Sequence, residues 1–97
     1  MMDANKLIPV ISEYKALYYV SESEFIKFII LNSDIEYFEC REYIKKYHLV
    51  NAENKTLWYE TDLILHPEEY NSEQIKWIGL FFKAHPFMDK IMIVFDD

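Results

Sequence analysis

The chain has 97 residues, with seventeen acidic side chains against ten basic ones, a formal charge of −7, and 52% apolar and 18% aromatic content. So much apolar material excludes a disordered chain, and the length suits one domain that buries somewhat over ~60% of its unfolded surface. Phosphate contacts need clustered Lys and Arg, whereas Arg41 is the only arginine and Lys45-Lys46 the longest basic cluster, so direct nucleic-acid binding is disfavoured.

The first residues, Met-Met-Asp-Ala-Asn-Lys, show no basic region followed by an apolar one, and the longest apolar or Gly run is Trp77 to Phe82. Neither a signal peptide nor a membrane span is expected. Cys40 is the single cysteine, which excludes an intramolecular disulfide and fits a cytoplasmic location.

Leu7, Val10, Ile11, Tyr14, Leu17 and Tyr18 recur at helical spacing, with Pro9 tolerable in an opening turn, and predict a first helix from about Pro9 to Tyr19. Three capping boxes then mark helix starts: Ser21 with Glu24, Ser33 with Glu36, and Asn71 with Gln74. Phe25, Ile26, Ile29 and Ile30 give the second helix its apolar stripe, which ends at Asn32 and Ser33. From Asp34, the pattern Tyr37, Cys40, Ile44, Tyr47 makes a third helix, and Asn51 to Lys55 a turn. Cys40 lies on that stripe and reads as a small core residue rather than a nucleophile.

Leu57, Tyr59, Thr61, Leu63 and Leu65 alternate with Trp58, Glu60, Asp62, Ile64 and His66, the period of a half-buried strand closed by Pro67. A helix from Ser72 to about Ala84 follows, with Ile75, Ile78, Phe81, Phe82 and His85 on one side. Gly79 lies on the other side of this helix, and close approach of another backbone would account for it. The final run, Ile91 to Phe95, is apolar on both faces and reads as a central, covered strand. The expected class is α+β: three helices, then strand, helix and a buried strand in a small sheet.

No catalytic motif emerges, and the chain is not expected to be an enzyme. His48, His66 and His85 are scattered, and one Gly excludes a Gly-rich phosphate loop, so no cofactor or metal is expected. The best local cluster is Asp62, His66 and Glu69, but an extended strand would have to turn at Pro67 to bring the three together.

The informative segment runs from Glu60 to Glu73. It holds Glu60, Asp62, Glu68, Glu69 and Glu73 and no Lys or Arg, with Trp58, Tyr59, His66 and Tyr70 in or beside it. An acidic strip carrying aromatics is repelled by a phosphate backbone but can imitate one and occupy a basic cleft on another protein. These nine residues are the candidate partner-binding set. The chain's eight tyrosines also suit an interface, since a tyrosine buries a flat ring and keeps a hydroxyl for a partner.

Two stretches carry a resemblance to bacterial immunity proteins that neutralise nuclease toxins. Ser23-Glu24-Phe25-Ile26-Lys27-Phe28, followed about forty residues on by Asp62-Leu63-Ile64-Leu65-His66-Pro67 and a helix, is similar to the helical immunity proteins of DNase colicins and pyocins. That family carries two tyrosines before the proline where this chain has Leu65 and His66, and its all-helical fold has no counterpart of Ile91 to Phe95. Trp58-Tyr59, then Pro67-Glu68-Glu69-Tyr70, helix and terminal strand, is similar to the α+β immunity proteins of anticodon-cleaving colicins. The resemblance implies an acidic surface that blocks a basic nuclease toxin, with Asp62 at a position that fits the first family's acidic site. Three other readings stay open: a phage-encoded inhibitor of a host nuclease of the anti-CRISPR type, a structural or regulatory module that forms a homodimer, and a small enzyme built on Asp62, His66 and Glu69.

Overall fold

The computed structural model describes residues 17–50 and 57–95. In chain order the elements are β1 (Leu17–Ser21), α1 (Glu22–Leu31), α2 (Tyr37–Lys46), β2 (Trp58–Tyr59), α3 (Glu60–Leu65), a 3-10 turn (Pro67–Glu69), α4 (Ser72–Ala84) and β3 (Lys90–Val94). The class is α+β, with a small mixed sheet in the order β1-β3-β2.

The last strand is the centre of the sheet. β1 pairs with it in parallel, Leu17 opposite Lys90 through Ser21 opposite Val94, and β2 pairs antiparallel on its other side, Trp58 opposite Ile91. Val20, Trp58, Ile91 and Ile93 therefore share one face, and all four are buried. Met92 and Val94 on the opposite face are half-buried, so the apolar run of β3 is covered more fully on one side than on the other.

Onto the buried face pack Phe25, Ile26 and Ile29 of α1, Cys40 and Ile44 of α2, Leu63 of α3, and Trp77, Ile78, Phe81 and Phe82 of α4. The ring of Phe28 meets Phe81 edge-on at 5.2 Å and Trp77 at 6.4 Å, so α1 and α4 are joined by an aromatic cluster. Cys40 is fully buried, and burial followed by the neighbouring Glu39 pushes its thiol pKa up. Among the described residues, no helix is long and apolar enough to cross a membrane.

Local capping chemistry explains two helix starts. The Ser21 hydroxyl accepts from the Glu24 N–H at 3.1 Å and opens α1. At α4 the box is complete: Asn71 Oδ1 accepts from the Gln74 N–H at 2.8 Å while Gln74 Oε1 accepts from the Asn71 N–H at 2.9 Å. Asn71 and Gln74 also donate to the Tyr47 and His48 carbonyls, which ties this helix start to the end of α2.

Four expectations are corrected. Leu17–Ser21 is a strand rather than the end of a helix, because its β-favouring Leu-Tyr-Tyr-Val-Ser run finds a partner in β3; the rest of the expected helix, 9–16, lies outside the described residues, as does the expected turn at 51–55. Ser33 does not cap α2. Its hydroxyl donates to the Ile29 carbonyl at 2.7 Å and accepts from the Ile35 N–H at 3.2 Å, which closes α1, and α2 begins only at Tyr37.

The third correction matters most for the site. Only Trp58–Tyr59 of the expected long strand is extended, and Glu60–Leu65 is helical. The Glu60 N–H donates to the Asp89 carbonyl at 3.0 Å as the chain leaves the sheet, and Glu60 and Asp62 stand in the first helical turn, where the helix dipole favours acids. The fourth concerns α4, whose buried stripe includes Trp77 while Ile75 is exposed. A Cβ added at Gly79 would meet the Leu63 side chain at 3.9 Å and no backbone, so close backbone approach is not its reason.

Candidate functional site

The helical turn of α3 changes what the acidic segment presents. Trp58, one of the candidate partner-binding set, is only 4% exposed and lies against the Tyr70 ring at a centroid distance of 5.9 Å. It is a core residue, drawn in because β2 pairing puts it beside Ile91. Its indole N–H has no hydrogen-bond partner among the described residues. Tyr59, on the opposite face of the strand, is exposed.

The remaining candidates divide into two groups. His66, Glu68 and Glu69 are exposed, and Glu60 and Asp62 are half-buried, on α3, the 3-10 turn and the His66 link between them. Tyr70 is half-buried with its hydroxyl donating to Asp62. That hydrogen bond, followed by burial, pushes the Tyr70 pKa up to about 12, since ionisation would set a phenolate against a carboxylate. Glu73 belongs elsewhere: it accepts from the Tyr43 hydroxyl, which in turn accepts from Trp77 Nε1 at 2.7 Å. This relay joins α4 to α2, and burial first, then the bond to Glu73, pushes Tyr43 up to about 12.

Asp62 and His66 stand one helical turn apart, and the turn begun by Pro67 swings Glu69 to the same side. One donor atom from each of Asp62, His66 and Glu69 lies within 4.8 Å of the other two. His66 Nδ1 is 3.5 Å from Glu68 Oε2 and 3.8 Å from Glu69 Oε2. The three residues that a strand would have kept apart are thus brought together by a helix.

Sequence reasoning missed the apolar half of this surface. Ile64 and Leu65 are 68% and 64% exposed on the outer side of α3. Beside them, Glu60, Leu63, Ile64, Ile75, Gly79 and Phe82 line a groove of about 230 Å3 between α3 and α4. Reading Glu60 to Leu65 at helical spacing would have separated buried Leu63 from exposed Ile64 and Leu65. A second apolar surface lies at the turn from α1 into α2, where Leu31, Tyr37 and Phe38 are exposed.

Compared with known protein families, curated proteins and solved structures, the chain matches none of them.

Proposed function

We propose that this chain neutralises a toxin by binding, as immunity proteins do, the basic nucleic-acid cleft of a nuclease through the surface of α3 and the 3-10 turn. The observation that carries the reading is the pairing of an apolar groove with an acidic border. Exposed Ile64 lines the groove with Leu63, Ile75 and Phe82, and exposed Leu65 follows it in α3, while Glu60, Asp62, Glu68 and Glu69 stand on α3 and the 3-10 turn. Interfaces are built this way, with desolvated apolar anchors inside a polar rim. The acids steer a cationic partner into place, and the anchors hold it.

The resemblance to the helical immunity proteins supports the same surface. Their paired tyrosines precede a proline, and the residues before Pro67 here, Leu65 and His66, are both exposed at the end of α3. An apolar side chain and an imidazole would serve where that family uses two phenols. Of Trp58 and Tyr59, both expected aromatic contributors, only Tyr59 is exposed. The same features suit a phage-encoded inhibitor of a host nuclease, and no catalytic role is assigned.

The exposed Leu31, Tyr37 and Phe38 favour a second reading, a homodimer formed through the turn between α1 and α2. One experiment separates the two. The tagged protein is used to capture partners from its own organism's lysate at low and high salt, with Glu68→Lys/Glu69→Lys as control. Capture of a nuclease that is lost in the control, and whose activity the purified protein blocks, supports the inhibitor. Recovery of the protein alone, as a salt-resistant dimer, refutes it in favour of the dimer.

A further inference from the structure

We propose that Asp62, His66 and Glu69 form a site for a divalent transition-metal cation of the zinc class, clamping α3 to the turn that follows it. The inference concerns the protein by itself and does not rest on the partner reading.

The donor set points to the ion. Carboxylates alone are common on solvated faces and suit Mg2+ or Ca2+ weakly, but an imidazole nitrogen among them selects Zn2+, Co2+ or Ni2+. His66 supplies that nitrogen between two carboxylate residues.

The backbone supplies the convergence. The His66 N–H donates to the Asp62 carbonyl at 2.9 Å, which completes the turn that stacks their side chains, and the Glu69 N–H donates to the His66 carbonyl at 3.1 Å, which folds Glu69 back. All three ligands come from eight consecutive residues, so little chain entropy is lost on assembly. The donor atoms lie within 4.8 Å of one another. In a tetrahedral shell with bonds of about 2.0–2.2 Å they would stand roughly 3.3–3.6 Å apart. His66 and Glu69 are exposed, so side-chain rotation can close a gap of about an ångström.

The surroundings suit a bound cation. The Tyr70 hydroxyl donates to Asp62 and its ring leans on the buried Trp58, which holds that carboxylate from behind as outer partners of metal ligands do. Glu68, whose carboxylate already reaches His66 Nδ1 at 3.5 Å, is at hand for a fourth position that water could otherwise take. From Glu60 to Glu73 the chain has no Lys or Arg, so the segment that carries the three ligands brings no competing cation of its own.

The test uses the full chain after chelator treatment, titrated with Zn2+ alone by calorimetry and with Co2+ alone by visible absorption. The expected result is saturable one-to-one binding, a rise in Tm with metal concentration, and tetrahedral Co2+ bands. His66→Ala and Glu69→Gln, both at exposed positions and checked for unchanged circular dichroism, should each weaken binding at least tenfold, while His48→Ala and His85→Ala leave it intact. Absence of saturable binding at millimolar metal, affinity unchanged by His66→Ala, or equal binding of Mg2+ would overturn the proposal.

Discussion

Arg41, the only arginine in the chain, donates from Nε to the buried carboxylate of Glu22 at 2.9 Å. Glu22 stands in the first turn of α1 and Arg41 in α2, so the pair fastens the two helices beside the sheet. Its guanidinium also sits 5.9 Å from the ring centroid of Phe95, just past β3. The residue best suited to gripping a phosphate is thus committed to the fold.

Removing one partner of such a pair leaves a buried charge behind. Arg41→Gln should destabilise by about 2 kcal/mol or more in chemical denaturation, less than the ~3–5 kcal/mol of fully enclosed pairs because Arg41 is half exposed. Adding Glu22→Gln removes the stranded charge and should restore most of the loss. If Arg41→Gln alone is neutral, the pair does not hold α1 to α2.

Tyr43 and Tyr70 set a limit at alkaline pH. Each has its folded-state pKa raised to about 12, while an unfolded tyrosine ionises near ~10. The folded state therefore keeps these protons longer than the unfolded state does. Their stabilising contribution is complete below pH ~10 and is lost as pH climbs from there through ~12. Tyrosinate absorbance and circular dichroism, followed together, should show unfolding accompanying the late-ionising tyrosines. Tyr43→Phe should also lower stability by about 1–3 kcal/mol at neutral pH, because it leaves Trp77 Nε1 and Glu73 without this hydroxyl. Simultaneous titration of all tyrosines near ~10 with the fold intact would contradict both hydrogen bonds.

What the sequence disclosed follows from how local each cause is. The Asn71/Gln74 box fixes the start of α4 locally, and the helix spans Ser72–Ala84 as expected, although its buried stripe takes in Trp77 and leaves Ile75 out. β1 was illegible because its conformation depends on Val20 pairing with Ile93, across most of the chain. Ser33 offered its hydroxyl to two helices, and the end of α1 took it. Glu60 to Leu65 is short enough for its apolar residues to fit either period, so the acids could be located in sequence while their arrangement could not. The exposure of Leu65 follows from that one choice, whereas the burial of Trp58 comes from its pairing with Ile91 in the sheet.

Gly79 offers a gain in stability. It sits inside α4, where Gly is less favourable than Ala, and a methyl there would make ordinary contact with Leu63 at 3.9 Å. Gly79→Ala should raise stability by about 0.5–1 kcal/mol, measured as a higher denaturation midpoint with unchanged m-value. A loss instead would mean that Leu63 cannot give way and that the α3 to α4 packing is tighter than the contact distance implies.

The anchors and the acids of the proposed interface should separate kinetically once a partner is in hand. Ile64 and Leu65 are largely exposed, so Ile64→Ser and Leu65→Ser should change folding stability by no more than about 0.5 kcal/mol. If the groove beside them is the anchoring pocket, each should weaken partner binding roughly tenfold or more, mainly by faster dissociation. Glu68→Lys and Glu69→Lys act at the rim and should instead slow association and flatten its salt dependence. Asp62 is a poorer probe, because its carboxylate also holds the Tyr70 hydroxyl and its loss would disturb the fold. Surface-captured partner and stopped-flow measurements read both rates. Serine variants that leave dissociation unchanged would remove the groove from the interface, whatever the acids do.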